Sequence, residues 1–366
     1  MVMNHDQLQS LAQAFKESQH AVDTVVVCPD GETFHFGDTQ AHDPLMLHIR
    51  NMQMLRMFTK NPKQGLKKSY LKGFWDCNNI PQLLAMSLPR AQYQSSCLLK
   101  QYHHSPIHPR VLKSYPHDAH RLKTLTLEFF ATWLDPSLSH SIATFSLHKK
   151  DPLYIAQQKS LQTVLKTLQH YHAVSVLETH AGWGSLAEKS CLHHDVTLVT
   201  SSRQHAEFCQ NRLQCIPIPV NYQIKTQRPC SELFQPFDAA VGTLPPLVSR
   251  QDWFDYFGYL ASQLKPGGIA IVQLAIDQQS SPRLLSRVLD KYRFELLEQT
   301  HLNRNAAKTY RYWLNNFSAN FSQIEKLGFS RAYLRQWQYY LSEMAFYFEA
   351  DLLQARQIII EKYLTQ

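Results

Sequence analysis

Paired cysteines are missing from this sequence: its seven cysteines form no CxxC motif, and their number is odd. That excludes zinc-ribbon and dithiol-redox chemistry and favours reduced thiols in a cytoplasmic protein over a disulfide framework. Histidine pairs begin at His103 and His193. No second ligand set stands at zinc spacing, so they read as surface histidines. Long apolar runs are also missing. Stretches such as "GIAIVQLAI" fall far short of a bilayer span, and the polar start "MVMNHDQLQS" lacks a secretory apolar core. Glycine is scarce, with 11 in 366 residues. Against that background two glycines one residue apart, Gly182 and Gly184, stand out.

What is present is an ordinary globular balance, 44% hydrophobic and 18% charged, in a chain long enough for two domains. The net charge of +8 draws polyanions, either nucleic acid or an anionic membrane face. Residues 22 to 39 read as two short strands around a Pro-Asp-Gly turn. Residues 44 to 100 carry apolar positions at helical spacing, as in "LMLHIRNMQMLRMF". The stretch from 105 to 123, rich in proline, histidine and basic residues, reads as a linker. From about residue 155 strands and helices alternate: "AVSVLE", "DVTLVT", "FDAAVG" and "GIAIVQLAI", the last preceded by a turn at "LKPGG". The pattern predicts an α/β fold, a Rossmann-like domain over 116–366 with a helical aromatic extension after residue 302. A smaller, mostly helical α+β domain over 1–115 precedes it.

The loop leaving the first strand of such a sheet is where ligands bind. Here it runs Glu178, Thr179, His180, Ala181, Gly182, Trp183, Gly184. The string resembles the E/D-x-G-x-G-x-G loop with which class I methyltransferases hold S-adenosylmethionine, with a histidine in place of the first glycine. His180 therefore either takes a strained backbone or sends the loop along another path. Trp183 reads as packing for the loop. At the end of the second strand the usual acid is absent, and Thr200, Ser202, Gln204 and His205 are the polar groups available for a ribose. After the fourth strand "GTLPPL" puts Leu244 and Leu247 where nucleic-acid adenine methyltransferases need an amide and an aromatic ring. Nucleic acid is thereby disfavoured as a substrate.

Six ordered stretches, from near Asp30 to near Gln357, are similar to the cyclopropane-fatty-acyl-phospholipid synthase family, which includes the mycolic acid cyclopropane synthases. They are "PDGETFHFGD", "SYLKGFWDCNNIPQLL", "LEFFATWLDPSLSHSIATF", "VLETHAGWGSLA", "VTLVTSSRQ" and the tail from "AKTYRYW". The resemblance implies S-adenosylmethionine as cofactor and methyl transfer to the double bond of phospholipid acyl chains. Ring closure would follow with a bound bicarbonate as base. It implies a cofactor site at His140, Ser141, Glu178, Gly182, Gly184, Thr200, Gln204 and His205. It implies a location at the inner face of an anionic membrane, with a homodimer or a reductase as partner.

The family residues that hold the base do not carry over. Ile142 stands for a cysteine, Gln273 for a histidine, Ala306 for a tyrosine and Met344 for a second cysteine, and "LPPLVS" holds no glutamate. Isoleucine and alanine offer no donor to an anion. Bicarbonate is therefore doubtful, no catalytic residue is assigned, and two readings stand. One is a lipid methyltransferase of altered product. The other is a non-catalytic lipid-binding or regulatory partner.

Overall fold

The computed structural model describes residues 11, 13, 15, 22–37, 43–87, 106, 109–148, 150–200, 202–226, 236–244, 249–277 and 281–363. His103, Cys97, Cys230 and the residues from Pro245 to Val248 lie outside them. Strands β1 (Thr24–Val27) and β2 (Thr33–Phe36) flank the Pro-Asp-Gly turn as an antiparallel pair. β3 (Leu45–Ile49) runs parallel to β1, and β4 (Trp75–Cys77) closes a sheet of order β2-β1-β3-β4. The reading of a helix from residue 44 is corrected here. Leu45, Leu47 and Ile49 bury one face at a spacing of two, and helix α1 starts only at Gln53 (Gln53–Lys60). Helices α2 (Pro62–Leu71) and α3 (Ile80–Ser87) complete this part.

The supposed linker is also corrected: it forms helices α4 (Pro109–Lys113) and α5 (Pro116–Thr124). Their prolines stand at first helical positions, where the missing N–H costs nothing. Buried Asp118 of α5 accepts hydrogen bonds from Ser330 N (2.5 Å) and Ser330 Oγ (2.6 Å). Helix α6 (Thr126–Ala131) leads to an extended segment, and α7 (Leu153–His170) follows it.

The second sheet has seven strands in the order β10-β11-β9-β8-β5-β6-β7. These are β5 (Ser175–Glu178), β6 (Asp195–Thr200), β7 (Tyr222–Thr226), β8 (Phe237–Leu244), β9 (Leu264–Asp277), β10 (Phe294–His301) and β11 (Leu353–Lys362). Pairs among β5 to β9 are parallel, whereas β11 runs antiparallel to both β9 and β10. Between them lie α8 (Ala187–Ser190), α9 (Arg203–Gln214), α10 (Arg250–Gln263) and α11 (Ser281–Tyr292). The "LKPGG" turn proves to be the first part of β9, with Gly267 at φ 75°. A register shift between the Phe237 and Ala239 pairings absorbs the extra residues.

Helices α12 (Asn303–Ala319), α13 (Phe321–Lys326) and α14 (Arg331–Glu349) form the aromatic extension. Most of its rings are core: Trp313, Phe317, Tyr333, Trp337 and Tyr339 are buried and share one cluster with Trp75, Phe129 and Trp133. The tail is not helical throughout, because β11 returns into the sheet as an apolar strand. His194, read as a surface histidine, is buried with Nδ1 2.7 Å from the Ala173 carbonyl.

Candidate functional site

Strand order reverses between β5 and β8, and the crevice beyond their carboxyl ends is the binding position of an open parallel sheet. A cavity of about 350 Å³ opens there. Its walls come from the loop after β5, the ends of β6, β8 and β9, the segment around His140, and helix α7 through Ser160, Leu161 and Val164. A mostly apolar hollow with a few convergent polar groups is the usual form of a small-molecule site.

The loop is pinned at three points. Thr179 N donates to Val241 O at 2.9 Å, Ala181 N to Val199 O at 3.2 Å, and Gly184 N to Ala181 O at 2.8 Å. Gly182 and Gly184 take left-handed φ of 51° and 72°, which a side chain would strain. His180 has no positive φ, so the strain foreseen for it is absent. The turn is made at the glycines, and the imidazole faces the cavity. Its Nδ1 lies 3.1 Å from Thr179 Oγ1, which in turn lies 3.0 Å from the Tyr256 hydroxyl. Gly242 makes room for that pair. A Cβ there would sit 2.1 Å from Thr179 Oγ1 and 2.2 Å from the Tyr256 oxygen. Gly242→Ala is therefore expected to cost about 1–3 kcal/mol in thermal or urea unfolding, because buried atoms must move apart.

Glu178 ends β5 and is 7% exposed. Its carboxylate accepts the Ala187 backbone N–H, but Oε2 has no hydrogen-bond partner. Burial pushes its pKa up to about 8, against smaller lowering effects of that N–H and of Arg212. Burial also lowers the pKa of the cavity's histidines: His140 falls to about 4, and His180 and His205 shift the same way. His140 lines the hollow and the residue stays accessible there. Its ring stacks on Trp313 at 4.8 Å. His205 meets Trp183 edge-on at 4.2 Å, and its Nε2 is unpartnered. Trp183 thus both packs the loop and lines the cavity.

Of the residues picked from sequence, His140, Ser141, Glu178, Gly182, Thr200 and His205 come together on the cavity wall. Gly184 and Gln204 are not among the described lining residues. Gly184 packs toward Cys209, and the Gln204 amide donates to Thr124 O at 3.1 Å. Sequence reasoning missed Ser139, Thr179, Thr243 and Gln357, which line it too. Gln273 accepts from Ile142 N at 3.0 Å and pairs across the sheet with Gln357. A glutamine inside an apolar strand was the available signal.

Among the described lining residues Glu178 carries the only carboxylate, and no lysine or arginine is present. A buried carboxyl with an unpartnered oxygen beside neutral imidazoles, itself uncharged below about pH 8, can ionise against a ligand bearing positive charge. It offers nothing to a dinucleotide's phosphates. By this test the residues present fit a sulfonium or ammonium group.

Sheet order, switch-point cavity and glycine loop define the class I methyltransferase fold. Within that fold the chain is similar to the cyclopropane synthases. Residues 118–287 match the family described as mycolic acid cyclopropane synthetase. The cyclopropane-fatty-acyl-phospholipid synthase of Escherichia coli K12 is 23% identical over 350 residues, 87% of this chain and 88% of that one. A probable fatty acid methyltransferase of Pseudomonas putida is 22% identical over 64% of this chain and 66% of its own. The cyclopropane synthase MmaA2 of Mycobacterium tuberculosis superposes with a TM-score of 0.58 at 18% identity, over 67% of this chain and 98% of that one. The mycolic acid cyclopropane synthase CmaA1, complexed with SAH and CTAB, gives 0.56 at 17% identity, over 66% and 98%. Among the described residues no helix is long and apolar enough to cross a membrane.

Proposed function

We propose that the chain binds S-adenosylmethionine in this cavity and transfers its methyl group to the double bond of an unsaturated phospholipid acyl chain. The observation that carries the reading is Glu178, whose unpartnered oxygen stands where the glycine loop meets an otherwise uncharged hollow. The bound cofactor would supply an electrophilic methyl on sulfur. Glu178 would balance its positive charge, and Thr200 and His205 would receive ribose hydroxyls. Leu161, Val164 and Ile271 would keep water from the reacting carbons. The relative complexed with SAH supports this reading.

Ring closure is the weaker half of the reaction here. The polar corner at Ser141, Gln273 and Gln357 carries no group that ionises to a base, and Gln273 is committed to the Ile142 backbone. His140 is a poor proton acceptor, its pKa held at about 4 by burial. The favoured product is accordingly a methyl branch, with a hydride donor such as a partner reductase quenching the cation. The same corner favours the second reading, a non-catalytic lipid-binding or regulatory partner.

Calorimetric titration with S-adenosylmethionine, then incubation of a deuterated-methyl cofactor with unsaturated phospholipid vesicles, separates the readings. Micromolar binding and deuterium in the acyl fraction are expected. Binding without deuterium transfer, or no cofactor binding at all, selects the non-catalytic reading and ends the methyltransferase one.

A further inference from the structure

Three of the nine large apolar side chains that stand exposed among the described residues fall within nine positions: Leu147 (67%), Tyr154 (44%) and Ile155 (41%). Single exposed apolar residues need no explanation, but a cluster does. These are also held firmly outward. Asp151 closes the turn below Leu147: Oδ2 accepts from Ser146 N and Lys159 Nζ, both at 2.7 Å, and its carbonyl accepts the Tyr312 hydroxyl at 3.0 Å. The Phe145 ring stacks on Tyr312 at 5.6 Å, and Phe145 N donates to Asn305. Tyr154 and Ile155 then leave the first turn of α7 on its outer side.

The charge around this knuckle has one sign. From Pro136 to Leu177 the sequence carries four lysines and a single acid, Asp151, which is paired with Lys159. Helix α12, which packs beside the turn, adds Arg304 and Lys308 and no acid, its Arg311 being paired with Glu349. Lys150, His148 and Arg304 are exposed, and Lys308 lies over the Phe145 ring. The same basic face of a second copy, set against this one, would be repelled. A polyanion that also absorbs apolar side chains is the anionic face of a lipid bilayer.

We propose that the Leu147 turn and the outer side of the first turn of α7 form the surface by which the protein docks on an anionic membrane. The inference deepens the lipid reading above and rests on it for the purpose of docking, although the surface itself is read independently of the cavity. Its position suits that role: α7 shows Tyr154 and Ile155 outward while its inner side, Ser160, Leu161 and Val164, walls the cavity.

The test is co-sedimentation of the full chain with phosphatidylcholine vesicles, with and without phosphatidylglycerol. Wild type is expected to bind the anionic vesicles, with affinity falling at high salt. Both Leu147→Ser/Tyr154→Ser/Ile155→Ser and Lys150→Glu/Arg304→Glu are expected to bind about tenfold more weakly or worse. Unchanged melting and unchanged S-adenosylmethionine affinity would show that the variants are folded. Full vesicle binding by either variant overturns the proposal. So does a change of oligomeric mass in place of a change in vesicle binding, or displacement from vesicles by a DNA duplex that loses its own hold in the same variants. Docking without cofactor binding would leave this surface standing while the methyltransferase reading fell.

Discussion

Glu178→Gln is expected to make the protein harder to unfold at alkaline pH and poorer at holding its cofactor. The two effects share one cause. In the folded chain the carboxyl ionises only near pH 8, against an ordinary value near 4.5, because burial leaves its anion poorly solvated. The folded state therefore binds the proton more tightly than the unfolded state does. The stability this contributes is complete below about pH 4.5 and is lost progressively as pH rises through about 8. The interval corresponds to on the order of 5 kcal/mol, an upper bound that the Ala187 N–H and Arg212 already temper. Around the carboxyl stand Arg212 and Cys209 of α9, and Cys191 just beyond α8; both thiols are pushed up by their own burial. None of these supplies a charge that compensates Glu178 fully.

Glutamine lacks this titration. Melting curves from about pH 5 to about pH 9 should fall steeply for wild type and only slightly for the variant, and saturating S-adenosylmethionine should restore the wild type at the alkaline end. Cofactor affinity of the variant should drop by about tenfold to a hundredfold, the worth of a charge-assisted contact. Wild-type affinity should rise with pH as the carboxyl ionises. A variant that melts no higher at alkaline pH would show that Glu178 is not an isolated buried anion. Equal affinity would remove it from the cofactor site. This exchange of stability for binding is the usual mark of a functional residue.

The parts of the fold that the sequence made legible were those whose pattern has a single physical meaning. Apolar runs separated by helices announced β5, β6, β8 and β9, and two close glycines located the loop that lines the cavity. What misled were signals with two meanings. Leu45, Leu47 and Ile49 satisfy a spacing of two, Leu45, Met46 and Ile49 one of three and four, and only the partner β1 decides between them. Pro109 and Pro116 end structure in one context and begin a helix in another. β11 lies far along the chain from β9, and its place between β9 and β10 is a long-range pairing no local window contains. In the site, Glu178, Thr200 and His205 could be placed by their distance from strand ends. Thr179, Tyr256 and Gly242 form a contact across 77 positions and could not. Gln204 sat at the correct spacing but on the wrong side of its helix, where it reaches Thr124.

The aromatic helix α14, which presents Trp337 to the cavity, is held to the first sheet and its helices by charge as well as by rings. Arg335 donates to Tyr70 O (2.6 Å) and Trp75 O (2.5 Å), pairs with Asp76 (2.6 Å) and lies 3.8 Å above the Tyr70 ring. Two turns along, Glu343 meets Lys67 of α2 at 3.1 Å, with both side chains under a tenth exposed, and the Tyr347 hydroxyl donates to the same carboxylate. Lys67→Met is expected to cost about 3–5 kcal/mol, because it strips a buried carboxylate of the ammonium it was folded against. Lys67→Met/Glu343→Leu should recover most of that loss, since removing both charges also removes their desolvation. Urea unfolding of the two single variants and the double supplies the cycle. A double variant as unstable as the sum of the singles would mean that the two residues act through packing with their separate surroundings. Recovery would show that the two charges are coupled across the contact between α2 and α14 while adding little net stability.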